Sequence, residues 1–210
     1  MKWLFIILTI LLVLSGAWIV FALDTGATSP GTTVDDATVG SVTWSNPNNS
    51  QASDNAYASL SIDAATSHYL KATNFGFSIP DGATIDGILV EIERHMAGTD
   101  ILDSDVKIVK ADGTIGTTDK ASVTGWVTTL NTYYSYGSSS DLWGETWTAA
   151  NINDADFGVV LSVSSAINFS DAFVDHIRIT VYYTEAVTTT TEVVISNGTI
   201  KIDNGTLKIL

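Results

Sequence analysis

The groups in this chain best suited to chemistry are a carboxylate pair, three histidines, two acidic loops and a run of aromatic rings. Glu91 and Glu93 alternate with Val90 and Ile92. On a strand they share a face about 7 Å apart, within the range of an inverting glycosidase pair. Alternating charge opposite apolar residues is also what a solvated sheet face looks like, and that is the reading adopted. His68, His95 and His176 are scattered, with His176 at an outward strand position beside Asp175. No Gly-x-Ser-x-Gly elbow accompanies the serines. No catalytic residue is assigned, no cofactor is required, and the chain is read as non-enzymatic.

Asp100, Asp103 and Asp105 place three carboxylates within six residues, and Asn151 to Asp156 is similarly rich in oxygen donors. Hard cations such as Ca2+ need several such ligands, so Asp100, Asp103 and Asp105 form the candidate Ca2+ site. Neither segment has EF-hand spacing, and surface turns share the composition without a metal. Residues 126 to 147 hold Trp126, Tyr133, Tyr134, Tyr136, Trp143 and Trp147. Tyr133, Tyr134, Tyr136 and Trp143 are candidates for stacking on pyranose rings, and the competing use of such rings is to fill the gap between two sheets. Asn48, Asn168, Asn197 and Asn204 each open an acceptor sequon for glycosylation.

The elements that must position these groups are strands. Of the charged residues 23 are acidic and 9 basic, a net charge of -14. A polyanion such as nucleic acid is repelled by that surface. With no cysteine there is no disulfide, thiolate nucleophile or cysteine-bound zinc, and a prokaryotic or viral source is favoured. From Trp3 to Ala22 the chain is almost wholly apolar behind a single Lys2. This is an export leader, a helix either cleaved near Ala17 or Ala22 or retained as a membrane anchor. Leu14-Ser-Gly-Ala17 lacks the cysteine that lipid anchoring needs. The expected location is extracellular or at the cell surface.

Residues 23–38, rich in Thr, Gly, Asp and Ser, read as a flexible lead-in. Val39 to Trp44 and Asp54 to Ile62 read as strands. Phe75 to Ile79 and Ile88 to Ile92 alternate on either side of a Pro80-Asp81-Gly82 turn and predict a hairpin. Val106 to Val109, Phe157 to Val163 and Ile177 to Tyr183 complete the core strands, with a strand, loop and strand between Trp126 and Trp147. The fold class is all-β, a two-sheet antiparallel sandwich of jelly-roll type over residues 39–184.

Trp44-Ser-Asn-Pro47, Phe75 to Arg94, Tyr136-Gly137, Asp141-Leu-Trp-Gly144, Trp147-Thr148, Asp156-Phe-Gly-Val159 and Val174 to Tyr183 together resemble an uncharacterised β-sandwich domain. That domain recurs in phage virion and prokaryotic surface proteins. The resemblance implies a fold and a location, and it brings no catalytic residues.

After a Thr-rich linker, residues 185–191, the segment 192–210 contains an internal repeat. Asn197-Gly-Thr-Ile-Lys-Ile-Asp203 is followed at once by Asn204-Gly-Thr-Leu-Lys-Ile-Leu210. Asn-Gly favours two-residue type I′ turns, which predicts a three-stranded meander pairing Ile195 with Ile200, Val193 with Ile202, Ile202 with Leu207 and Ile200 with Ile209. Val193, Ile195, Ile200, Ile202, Leu207 and Ile209 then share one face. Burying it is worth of order 10 kcal/mol at most, so it needs a cover in cis or in trans. The expectation is a structural or interaction protein of a cell surface, filament or virion that self-associates or docks on another surface protein through this meander. The alternative is a carbohydrate-binding adhesin using the aromatic segment. Membrane contact is expected only through an uncleaved leader.

Overall fold

The computed structural model describes residues 22–130, 132–166, 169–186, 190–195, 198–203 and 206–209. The leader and the sequons at Asn168, Asn197 and Asn204 lie outside them. Among the described residues no helix is long and apolar enough to cross a membrane.

Two antiparallel sheets face each other. One contains β1 (Ala22–Asp24), β3 (Ala58–Ile62), β5 (Thr84–Ala97), β7 (Tyr133–Ser138) and β9 (Ser170–Thr184). In it β9 lies between β5 and the pair β1 and β3, while β7 forms the opposite edge. The other runs in the order β2 (Thr32–Asp36), β4 (Tyr69–Thr73), β8 (Gly158–Ser164), β6 (Leu102–Val109). Residues 115–120 extend it further by hydrogen bonding back to β6, with Gly116 N–H on the Ile108 carbonyl and Lys120 N–H on that of Val106. From β3 to β9 each successive strand changes sheet, which is the winding of a jelly roll.

The inward positions carry the alternating aliphatics that the sequence displays. Ile88, Val90 and Ile92 of β5, Ile177, Ile179 and Val181 of β9, and Val159, Leu161 and Val163 of β8 are all fully buried in one cluster. Gly158 sits where β8 meets β4, and a Cβ there would collide with the Ala72 carbonyl oxygen.

Three expectations are corrected. Residues 23–38 are not a loose lead-in, because β1 pairs with the end of β9 and β2 pairs with β4. Their Thr and Asp content suits exposed edge strands as well as linkers. Residues 39–44 form no strand: Val42 makes an isolated bridge to Ser67, and Trp44 is buried in the core with its backbone N–H on Asp35 of β2 and its indole N–H on the His68 carbonyl. Residues 75–79 do not pair with β5: the chain here crosses from one sheet to the other. Phe75, Phe77 and Ile79 close the open end of the sandwich while Gly76 and Ser78 face solvent, so period two arises without a ladder partner. Asn153, at the end of α1 (Ala149–Asn153), supplies the missing partner. Its side-chain amide accepts from Ile79 N–H at 2.8 Å and donates to the Ile79 carbonyl at 2.9 Å. Gly82 takes φ +78° in the turn before β5.

The tail forms its own sheet, β10 (Thr190–Ile195), β11 (Gly198–Asp203) and β12 (Thr206–Ile209). The second hairpin has the predicted register, Ile202 opposite Leu207 and Ile200 opposite Ile209. The first differs by two residues: Val193 faces Ile200 and Ile195 faces Gly198. A shift of two preserves parity, so the same alternate positions stay in register.

Candidate functional site

The polar groups converge on one stretch of β5, Glu91-Ile-Glu-Arg-His95. Its alternation continues unbroken, which sends Arg94 inward with Ile88, Val90 and Ile92 and Glu91, Glu93 and His95 outward. Opposite, β9 inserts one extra residue: Glu93 pairs with His176 and Arg94 with Val174, leaving Asp175 as a bulge. The bulge re-aims β9 so that Val174 packs in the core while His176 turns outward.

Inside the sandwich, Arg94 of one sheet meets Asp103 of the other, both side chains almost wholly buried. Asp103 accepts from Trp126 Nε1–H at 2.7 Å, from the Tyr136 hydroxyl at 2.8 Å, from Ser122 N–H at 3.1 Å and from Arg94 Nη2–H at 3.5 Å. Arg94 Nε–H donates to the Tyr136 oxygen at 3.1 Å. The guanidinium lies 4.5 Å from the Trp126 ring centre and 3.9 Å from that of Tyr134, a cation held between two π faces. Among the described residues its Nη1 has no partner. Burial and the Asp103 charge raise the Tyr136 pKa far above the phenolic range, so Tyr136 stays a donor.

On the outer face, Arg178 grips Glu91 with two bonds of 2.9 and 3.1 Å and lies over the Tyr133 ring at 3.8 Å. His176 is wedged between the exposed Ser29 hydroxyl at Nε2 and the Tyr133 hydroxyl at Nδ1, each 2.8 Å away. Burial and then the Arg178 charge lower its pKa. Glu93 is 2 % exposed and its Oε2 has no hydrogen-bond partner. Asp175 accepts from the backbone N–H of Asn55 and Asp54, pinning residues 51–57 over this face. Burial is the first cause of its raised pKa. His95 stacks on Phe173 at 4.8 Å, and Tyr57 meets its edge at 4.9 Å.

These placements revise most of the candidate residues. Glu91 and Glu93 do share a face, but Glu91 is committed to Arg178 and Glu93 is roofed over, so the face is not a solvated one. His176 is outward yet buried. Asp100 accepts from Ala166 N–H, Asp103 serves the core, and Asp105 bonds the Tyr69 hydroxyl and Lys107. The three carboxylates of the candidate Ca2+ site therefore diverge, because an irregularity in β6 between Asp103 and Asp105 separates their environments. Among the described residues no group of three or more acidic or histidine side chains could hold a metal ion.

Of the stacking candidates, Tyr136 and Trp143 are 4 % and 1 % exposed. Trp143 donates to the Ile88 carbonyl at 3.0 Å. Tyr134 and Tyr133 are half-buried against Arg94 and Arg178. The rings fill the sandwich and cage its arginines instead of forming a platform. Asn48 is exposed in the 3-10 turn Pro47–Ser50. Arg94 is a core residue that composition alone does not single out, and its place two residues after Ile92 is the available signal.

A cleft of about 350 Å³ lies elsewhere, between Lys110, Asp112, Glu145, Trp147 and Asn151.

No family model matches the chain, and no curated protein matches it. Among solved structures it is similar to one described as "CBM4 structure and function", a carbohydrate-binding module, at 13% sequence identity and a TM-score of 0.36. That match covers 70% of this chain and 92% of the other.

Proposed function

We propose that this chain is an exported, non-enzymatic structural or interaction protein of a cell surface, filament or virion, associating through its C-terminal sheet. The observation that supports this most is the separateness of that sheet. β10, β11 and β12 pair with one another in a ladder of their own and continue neither sheet of the sandwich. A three-stranded sheet of four to six residues per strand is marginal alone and needs a partner surface.

Light scattering on residues 22–210 beside residues 22–186 tests it. Every sandwich strand is kept in the shorter chain. Oligomers from the first and a folded monomer from the second are expected; two monomers would return the tail to its own domain.

A second reading, glycan binding, draws on the cleft beside Trp147, which offers an ammonium, two carboxylates and an amide around an indole. Glycan binding that survives removal of the tail and is lost in Asn151→Ala would favour it.

A further inference from the structure

The outer face of the larger sheet carries one aromatic ring in a setting of hydroxyls. On β9, Ala172 and Val174 are buried in the core, so Asp171 and Phe173 point outward. On β3, Leu60 is inward and Ser59 and Ser61 are outward. The registers set these residues in two rows. Ser59 lies opposite Phe173 and Phe173 opposite His95, while Ser61 lies opposite Asp171. Ser45 lengthens the first row, because its N–H and carbonyl both bond the backbone of Ser59, at 2.8 and 3.0 Å.

The half-buried Phe173 ring is fixed from the β5 side. His95 stacks on it with the planes 10° apart, and Tyr57 meets its edge at 5.7 Å. On the β3 side lies a trough of about 280 Å³ between Phe173, Asp171, Ser45, Ser59 and Ser61. Among the described residues the Ser45 and Ser59 hydroxyls make no hydrogen bond. Asp171 commits Oδ1 alone, to the Ser61 hydroxyl. A flat apolar ring, two unpaired hydroxyls and a carboxylate oxygen therefore stand preformed around one space.

We propose that this trough binds one neutral pyranose ring of a polysaccharide chain. The C–H face of the sugar covers the Phe173 ring. Its hydroxyls donate to Asp171 Oδ2 and exchange hydrogen bonds with Ser45 and Ser59. Asp171 is the one charged side chain among the described residues that line the trough, so sulfated, phosphorylated and uronic acid units are repelled. The volume falls just short of the roughly 300–1,000 Å³ that encloses a whole small molecule. That suits a single ring of a chain laid across the sheet. The site is separate from the cleft beside Trp147 and does not depend on association through the tail.

Calorimetric titration of residues 22–210 with cellohexaose, maltohexaose, xylohexaose and mannohexaose, beside hexagalacturonate, tests it. At least one neutral hexasaccharide should bind and hexagalacturonate should not. Phe173→Leu, which keeps an apolar side chain but no flat ring, should weaken that binding by about fivefold or more. Asp171→Ala should weaken it by about tenfold or more. Urea denaturation checks that each variant is folded. Ser59→Leu, which fills the trough from the exposed face with ring and carboxylate intact, should give the same loss and serves if either of the others unfolds. No neutral probe bound, equal binding of hexagalacturonate, or binding that no folded variant weakens overturns the site. Binding lost in Asn151→Ala and kept in the trough variants also overturns it and moves the sugar to the Trp147 cleft.

Discussion

Asp103 and Arg94 are partners with unequal alternatives. Asp103 has three neutral donors besides the arginine, whereas among the described residues Arg94 has no other carboxylate and already leaves Nη1 without a partner. Removing the acid strands a buried cation, and Asp103→Asn should cost about 3–5 kcal/mol in urea denaturation. Arg94→Met should cost less, because Trp126, Tyr136 and Ser122 still solvate the carboxylate. Equal losses would mean that the ion pair, not donor supply, holds Asp103. The buried histidines set a pH response. His95 and His176 have lowered pKa values, both chiefly through burial. Below about pH 6.5 the unfolded chain binds protons that the fold resists, so stability falls as pH drops from there towards the folded values. Asp175 acts in the opposite sense, since its raised pKa makes the fold bind protons more readily than the unfolded chain as acid is added. The urea midpoint should therefore be lower at pH 5.5 than at pH 7.5, and His95→Phe with His176→Gln should shrink that difference. An unchanged difference would assign the response to other groups.

Among the elements, the segment between β4 and β5 shows how far local pattern reaches. Phe75, Phe77 and Ile79 alternate as a strand does, and the burial they imply is observed. Their hydrogen-bond partner is a side chain brought from 74 residues away, which no local signal encodes. Asn153→Ala would leave the Ile79 N–H and C=O without partners in a nearly buried position. A loss of at least about 1–3 kcal/mol is expected on denaturation, and a change within error would show that water replaces the amide. The tail teaches the complementary lesson. Its ladder is legible because repeated Asn-Gly steps separate alternating runs, and only the register of the first hairpin differs.

For the whole molecule, the proposed association would join subunits of net charge -14 through apolar surface. Screening the repulsion should strengthen it, so the assembled fraction measured by light scattering should rise between low salt and about 0.5 M NaCl. A fall would identify the contact as ionic. The colocated ends of the domain matter at this scale as well: Ala22 and Thr184 are paired neighbours at one end of the sandwich.

The sequence by itself determined the all-β class, the inward aliphatic residues of β3, β5, β8 and β9, and the register of the second tail hairpin. Each follows from a period of two or a turn residue, which are local properties of the chain. Only the tertiary structure decided what the charges and rings do. The Asp175 bulge, the cage around Arg94, the roof over Glu93 and the divergence of Asp100, Asp103 and Asp105 depend on strands far apart in sequence. A side chain's solvation is set by whatever neighbour packs against it.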